Sequence, residues 1–396
     1  MVEEAVVSAV VDQVDPEEVV RFARRLVSTP SENPGDTEEA VAAVAVEILE
    51  GLGDSPEIVR GEEGRPSVVA RFGNGERPAL AWNGHLDVVP AGDPSTWRHP
   101  PFGAELVDGS LVGRGSADMK GGIASAFGAV SAIRRSGVEL AGRLDLHLAA
   151  DEELAGLHGT TVLLERGLLD QDAAIVGEPT ELNLALAERG GAWITATARG
   201  TAAHGSTPRL GVSAITSMAR FLLRIEEVLP DIEHPLVGRP TVNAAMIQGG
   251  SAPNVVADRC VVEIDRRIIP GETEPGKVLE PFDRLAEAIR SEHPEADLSF
   301  AIRLWTDAAE TTGDPTIADL CRAAVREETG RPPLDTGMTG ITDARFYLND
   351  RSIPTIILGP GSLGVAHTAN ESVEIAQLVA AARVYARVFT RFLDAS

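Results

Sequence analysis

The sequence predicts an α/β fold, a mixed-sheet domain interrupted by an inserted ferredoxin-like α+β domain. Three observations predict it. At 396 residues the chain exceeds the usual reach of one hydrophobic core. Short apolar runs alternate with helical patterns in the first half and again near the C-terminus, as in layered α/β domains. Between them lies the order β-α-β-β-α-β, that of a ferredoxin-like unit. The expected boundaries are 1–187 and 304–396 for the two parts of the larger domain and 188–303 for the insert.

Asp15-Pro16-Glu17-Glu18 places a capping residue, a first-turn proline and acidic residues ahead of a helix to Val27. A second helix is expected from Thr37 to Leu49, stopped by Gly51 and Gly53. Val68–Phe72 and Ala79–Trp82 read as strands, and Gly122–Arg135 as a helix ended by Gly137. Leu144, Leu146 and Leu148 alternate with Asp145 and His147, which predicts a half-buried strand. Ala173–Val176 is a further strand. In the insert, strands are expected over 192–199, 241–247, 255–269 and 297–304, with helices over 211–229 and 275–290. A helix over 315–328, a strand over 355–358 and a terminal helix over 373–392 complete the chain.

Composition narrows the function. The formal net charge is −25 and no basic stripe is present, so a nucleic-acid partner is not expected. No apolar run reaches the roughly 18 residues needed to span a bilayer, so no membrane role is expected. Met1-Val2-Glu3-Glu4 has no basic region of a secretory signal, which makes a cytoplasmic location the expectation. The two cysteines, Cys260 and Cys321, make neither a disulfide framework nor a thiolate metal site. Any metal must be held by histidines and carboxylates.

Such residues collect at strand ends. His85 and Asp87 follow the run from Ala79, two positions apart and so on one side. Asp118 lies in the glycine-flanked segment Gly113–Gly122, ahead of a helix whose N-terminus favours an anion. Asp151-Glu152-Glu153 ends the strand at Leu148, three adjacent acids that repel one another unless a positive charge sits among them. Glu178 follows Val176, and His367 follows the strand over 355–358 and a glycine-rich loop. In open α/β sheets, sites form beyond the carboxyl ends of strands. Two imidazoles and several carboxylates there suit zinc or cobalt, and they are numerous enough for a pair of ions bridged by one carboxylate. His147 reads as packing. His204, in the small-residue loop Gly200–Pro208, stays undecided on the residues alone.

Together Asn83-Gly84-His85-Leu86-Asp87, Asp118-Met119-Lys120-Gly121-Gly122, Asp151-Glu152-Glu153, Gly177-Glu178-Pro179 and the late His367 resemble the acetylornithine deacetylase, succinyl-diaminopimelate desuccinylase and carboxypeptidase G family, over about Val27 to Phe392. That resemblance implies a two-zinc amidohydrolase, with cobalt as the alternative metal, whose insert is a lid and dimerisation domain. It implies that Asp118 bridges the ions, His85 and Glu178 complete one, and Glu153 and His367 complete the other. A cis peptide is implied at Asp118–Met119. Glu152 would be the general base, Asp87 its orienting neighbour, and His204 the stabiliser of the oxyanion. Arg267, in Asp265-Arg266-Arg267, would bind a substrate carboxylate, and Asn254 would line the site. The implied partners are a small N-acyl amino acid or short peptide as substrate and a second copy of the chain in a homodimer.

The alternative substrate reading is a metallo-carboxypeptidase or dipeptidase. A non-catalytic binding protein on the same scaffold should have lost a ligand or the base, and none is missing. Gly359-Pro360-Gly361-Ser362-Leu363-Gly364 spells a dinucleotide-binding pattern, but no helix opens at Gly364. Desuccinylase-like sequences often read Gly-Thr-Ser-Asp in a late loop. Here it is Gly340-Ile341-Thr342-Asp343, and Ile341 removes a hydroxyl that could hold a succinyl carboxylate.

Overall fold

The computed structural model describes residues 4–61 and 65–393; Met1–Glu3 of the N-terminal signal argument lie outside them. The chain forms two compact units. The first comprises Met1–Leu186, Glu310–Met338 and Thr342–Ser396, and the second Ala187–Ala309 with Thr339–Ile341.

The first unit is built on a mixed sheet. Its strands run in the order Glu57–Arg60, Pro66–Phe72, Arg143–Ala149, Ala79–His85, Ala173–Val176, Thr355–Ile357, Leu184–Glu188, Ala309–Glu310, with Asp335–Met338 also pairing with Leu184–Glu188. Ala79–His85 pairs in parallel with both Arg143–Ala149 and Ala173–Val176, and Thr355–Ile357 continues the parallel set. Four carboxyl ends therefore open on one edge of the sheet, which is where functional loops gather in such folds.

Helix Pro16–Val27 starts as its sequence requires. Asp15 Oδ1 accepts the Glu17 N–H at 2.9 Å, and Val19, Phe22, Ala23, Leu26 and Val27 are buried. Helix Lys120–Ser136 is buried continuously from Lys120 to Ile133, which explains its run of Gly, Ala and Ser, and it stops where Gly137 takes φ 73°. A Cβ on Gly122 would lie 2.5 Å from the Gly177 carbonyl oxygen. The bare glycine thus lets this helix close onto the strand end that carries Glu178.

Strand Arg143–Ala149 departs from expectation. It is buried on both faces, and Asp145 and His147 have no exposed surface. The polar alternation marks a second buried layer, not solvent. His147 Nδ1 lies 2.7 Å from the Tyr347 hydroxyl, and the Gln171 side chain donates to Asp145. Burial pushes the His147 imidazole down to about 4. The terminal helix also begins later than its periodicity suggests, at Ile375, because Ser372–Glu374 pairs antiparallel with Ser110–Val112.

The second unit is an antiparallel sheet in the order Thr241–Gly249, Arg259–Ile268, Gly190–Arg199, Asp297–Thr306. Helices Ala214–Leu222 and Pro275–Glu292 pack their apolar residues against Ala192, Ile194, Val262 and Ile264. This is the expected ferredoxin-like arrangement. The first helix is shorter than its pattern, since Ser213 caps it by accepting the Thr216 N–H and it yields to a tighter turn at Ile225–Val228. The strand expected from Val255 starts only at Arg259. No helix among the described residues is long and apolar enough to cross a membrane.

Candidate metal centre and active site

His85 is the last residue of its strand and is buried. Its Nδ1–H donates to the Asp87 carbonyl oxygen at 2.9 Å, which fixes the ring and aims Nε2 at Asp118 Oδ1, 3.0 Å away. Glu178 Oε1 stands 3.6 Å from the same nitrogen. The other Asp118 oxygen faces His367 Nε2 at 3.3 Å, and Glu153 Oε2 faces that nitrogen at 3.1 Å. Two triads result, His85–Asp118–Glu178 and Asp118–Glu153–His367, each with its ligand atoms within 4.8 Å of one another, and they share Asp118. The Asp118–Met119 peptide is cis, as the resemblance implies. His367 holds φ 61° and Asp151 φ 60°, left-handed conformations uncommon outside glycine and typical of strained functional loops.

The acid turn divides its carboxylates. Glu153 Oε1 accepts the Val89 N–H at 3.2 Å, which leaves Oε2 for His367. Glu152 belongs to neither triad, and its Oε2 comes only to 3.9 Å from His85 Nε2. Asp87 holds the turn from behind, with its two oxygens accepting the Glu152 and Glu153 N–H groups at 3.1 Å each. Asn33 Nδ2 donates to both Asp87 and Asp151 at 2.9 Å.

Charge in this cluster is unbalanced. Burial, reinforced by neighbouring carboxylates, pushes Glu152 and Glu178 well above the ordinary range and raises Glu153. Hydrogen bonds to Asp118 and Glu153 raise His367 to about 10. Burial would lower the His85 imidazole, but Asp118 and Asp87 hold it well above its usual value. Protons therefore stand where cations would. Two imidazoles and three carboxylates in paired triads fit a pair of divalent ions.

The three remaining candidates lie in the second unit and belong to neither triad. His204 and Asn254 sit on adjoining exposed loops, joined by the Gly205 N–H to Asn254 carbonyl bond at 2.7 Å. His204 Nδ1 accepts the Ser206 N–H at 3.1 Å, so the neutral ring carries its proton on Nε2. On strand Arg259–Ile268, Arg266 is buried on the helix-covered face while Arg267 stands on the opposite face with Nε donating to Asp265 at 3.0 Å.

Several supporting residues escaped sequence reasoning. Glu371 and Arg114 form a buried pair at 2.6 Å behind Asp118. Lys120 is buried and donates from Nζ to the Thr29 carbonyl at 2.8 Å. The signal for Glu371 was its place, an acid four residues beyond His367 at the start of an apolar segment.

The sequence profile of peptidase family M20/M25/M40 matches residues 81–391. The chain belongs to that family. The M20 assignment agrees with a curated relative, a succinyl-diaminopimelate desuccinylase of Rhodospirillum centenum, 31% identical over 388 residues that cover 94% of this chain and 97% of the relative. Among solved structures, an M20 metallo-carboxypeptidase of Sulfolobus solfataricus superposes with a TM-score of 0.79 at 17% identity, covering 95% of this chain and 99% of the other. A dinuclear metal-binding M20 peptidase of Bacillus subtilis gives 0.71 at 18% identity, covering 96% and 98%. As an M20 protein the chain is a hydrolase of amide bonds.

Proposed function

We propose that this M20 hydrolase uses two zinc ions, with cobalt as a working substitute, to release an acyl group from an N-acyl amino acid. The observation that carries the reading is the pair of triads sharing Asp118, with Glu152 beside them and outside both. His85, Asp118 and Glu178 would hold one ion, and Asp118, Glu153 and His367 the other. Such a pair supplies polarisation of the amide carbonyl and acidification of a water. Glu152 takes the proton of the attacking water and returns it to the departing amine. Asp87 keeps the Glu152 turn in register. His204, with its proton on Nε2, is a ready donor to the oxyanion, and the planar fork of Arg267 suits the substrate carboxylate. Asn254, on the loop next to His204, lines the same binding surface.

N-acyl amino acids are favoured over peptides by the 31%-identical desuccinylase. The metallo-carboxypeptidase neighbour supports the second reading, in which the amide is that of a short peptide. A panel of N-succinyl and N-acetyl amino acids against dipeptides, assayed with zinc or cobalt, decides between them. We expect kcat/KM for the best N-acyl amino acid to exceed that for any dipeptide by about tenfold or more, a difference of about 1.4 kcal/mol. The reverse order makes the chain a peptidase. Ile341 predicts that N-succinyl substrates are not preferred over N-acetyl ones.

We also propose a homodimer through the second unit. Thr241–Gly249 is an edge strand whose Met246 and Ile247 are 69% and 61% exposed, an open template for pairing. Sedimentation should give twice the chain mass. Ile247→Lys should shift the protein toward the monomer without unfolding it, and a wild-type monomer would refute the assignment.

A further inference from the structure

The loops that deliver Asp118 and His367 are joined by one buried side chain that no ligand assignment uses. Glu371 lies four residues past His367 and has no exposed surface. One of its oxygens, Oε1, accepts two successive backbone N–H groups, Ala117 at 2.9 Å and Asp118 at 3.1 Å. The other, Oε2, takes Arg114 Nη1 at 2.6 Å. Its own carbonyl accepts the Gly113 N–H at 2.9 Å. Glu371 is thus bonded to both ends and one side chain of the turn 113–118. Arg114 is itself buried and lies over the Trp97 ring, with its guanidinium carbon 5.4 Å from the centroid.

This pattern exceeds what a neutral filler would need. A carboxylate that accepts consecutive N–H groups fixes the direction of that peptide pair, and here the second N–H belongs to the shared ligand itself. We propose that Glu371 is a positioning residue that locks the Asp118 turn and the His367 arm into one geometry, so that the ion held by Asp118, Glu153 and His367 depends on it more than the other ion does. The proposal rests on the two-ion reading above. Arg114 completes the lock by directing Oε2 away from the backbone and leaving Oε1 for both N–H groups.

The test is stepwise metal binding, read apart from activity. Metal-free protein is titrated with cobalt, and His367→Ala marks which step belongs to the His367 side. Glu371→Gln keeps size but cannot satisfy both partners. With its amide oxygen on the two N–H groups, its amide nitrogen confronts Arg114 donor to donor. We expect this variant to lose about ten- to a hundredfold in affinity at the step that His367→Ala abolishes, with the other step nearly unchanged. The double variant Arg114→Met/Glu371→Gln removes the confrontation and should restore that step. Equal weakening of both steps, no weakening, or a double variant no better than the single one overturns the proposal. If Glu371→Gln yields no folded protein, Glu371→Asp, a carboxylate too short to reach both the Ala117 and Asp118 N–H groups and Arg114, is titrated in its place: selective weakening of the His367-side step supports the lock, and unchanged affinities or equal weakening of both steps overturn it. Fewer than two ions on the wild-type protein would overturn the two-ion reading itself, and the lock with it.

Discussion

Glu152→Ala should lower kcat by a factor of about 100 to 10,000, the usual contribution of a positioned general base, while both ions stay bound. The expectation follows from where the carboxylate stands. Glu152 is buried beside the centre, 3.9 Å from His85 Nε2, yet contributes no atom to either triad. Its backbone is fixed by Asp87, so loss of the side chain should leave the turn in place. Metal analysis and turnover measured on the same sample check this. Full activity would remove Glu152 from the mechanism, and loss of an ion would mean that Glu152 and Glu153 have exchanged roles.

Removing the metals should abolish activity and give the protein a new dependence on pH. Without cations, the folded state keeps protons on groups that release them when unfolded. Glu152 and Glu178 sit well above the ordinary 4.5, and His367 titrates near 10 against 6.5. Through these groups and His85 the folded metal-free protein binds more protons than the unfolded chain between about pH 5 and 10. Buried Lys120, lowered to about 7, and His147, lowered to about 4, act in the opposite sense but are outnumbered, so stability falls as pH rises. Bound ions displace those protons, so metal affinity should climb with pH and loading should release protons. Calorimetry of cobalt binding in buffers of different ionisation enthalpy measures the release. Melting curves with and without metal measure the slope. A metal-free protein whose melting temperature does not fall from pH 6 to 9, or metal uptake without proton release, would contradict this account. Activity should return on adding zinc or cobalt.

Much of this was legible in the chain. Strand ends could be read from short apolar runs, and the proposed ligands His85, Glu153 and Glu178 stand beside them. The ferredoxin-like order of the insert was readable because its elements follow one another locally. What could not be read is what depends on contacts between distant segments. His147 and Asp145 alternate with leucines as a half-exposed strand would, and only the layer carrying Tyr347 and Gln171 makes them buried. Ser372–Glu374 carries no strand signal that competes with the following helix; it is extended because Ser110–Val112 lies alongside. The pairing of Glu371 with Arg114, 257 residues apart, leaves no local trace.

The five proposed ligands lie on either side of the inserted unit: His85, Asp118, Glu153 and Glu178 precede it and His367 follows it. A growing chain that emerges from the ribosome N-terminus first must hold four acceptors, most of them acids, in readiness until the fifth has been synthesised. The last imidazole lies beyond strand Thr355–Ile357, which pairs in parallel with Ala173–Val176 from the earlier part of the chain. On the proposed assignment, occupancy of both cation positions would therefore mark a chain whose synthesis is complete. A chain truncated ahead of Ala366 would retain the first three-ligand set and lack the second, a half-built centre that cannot turn over.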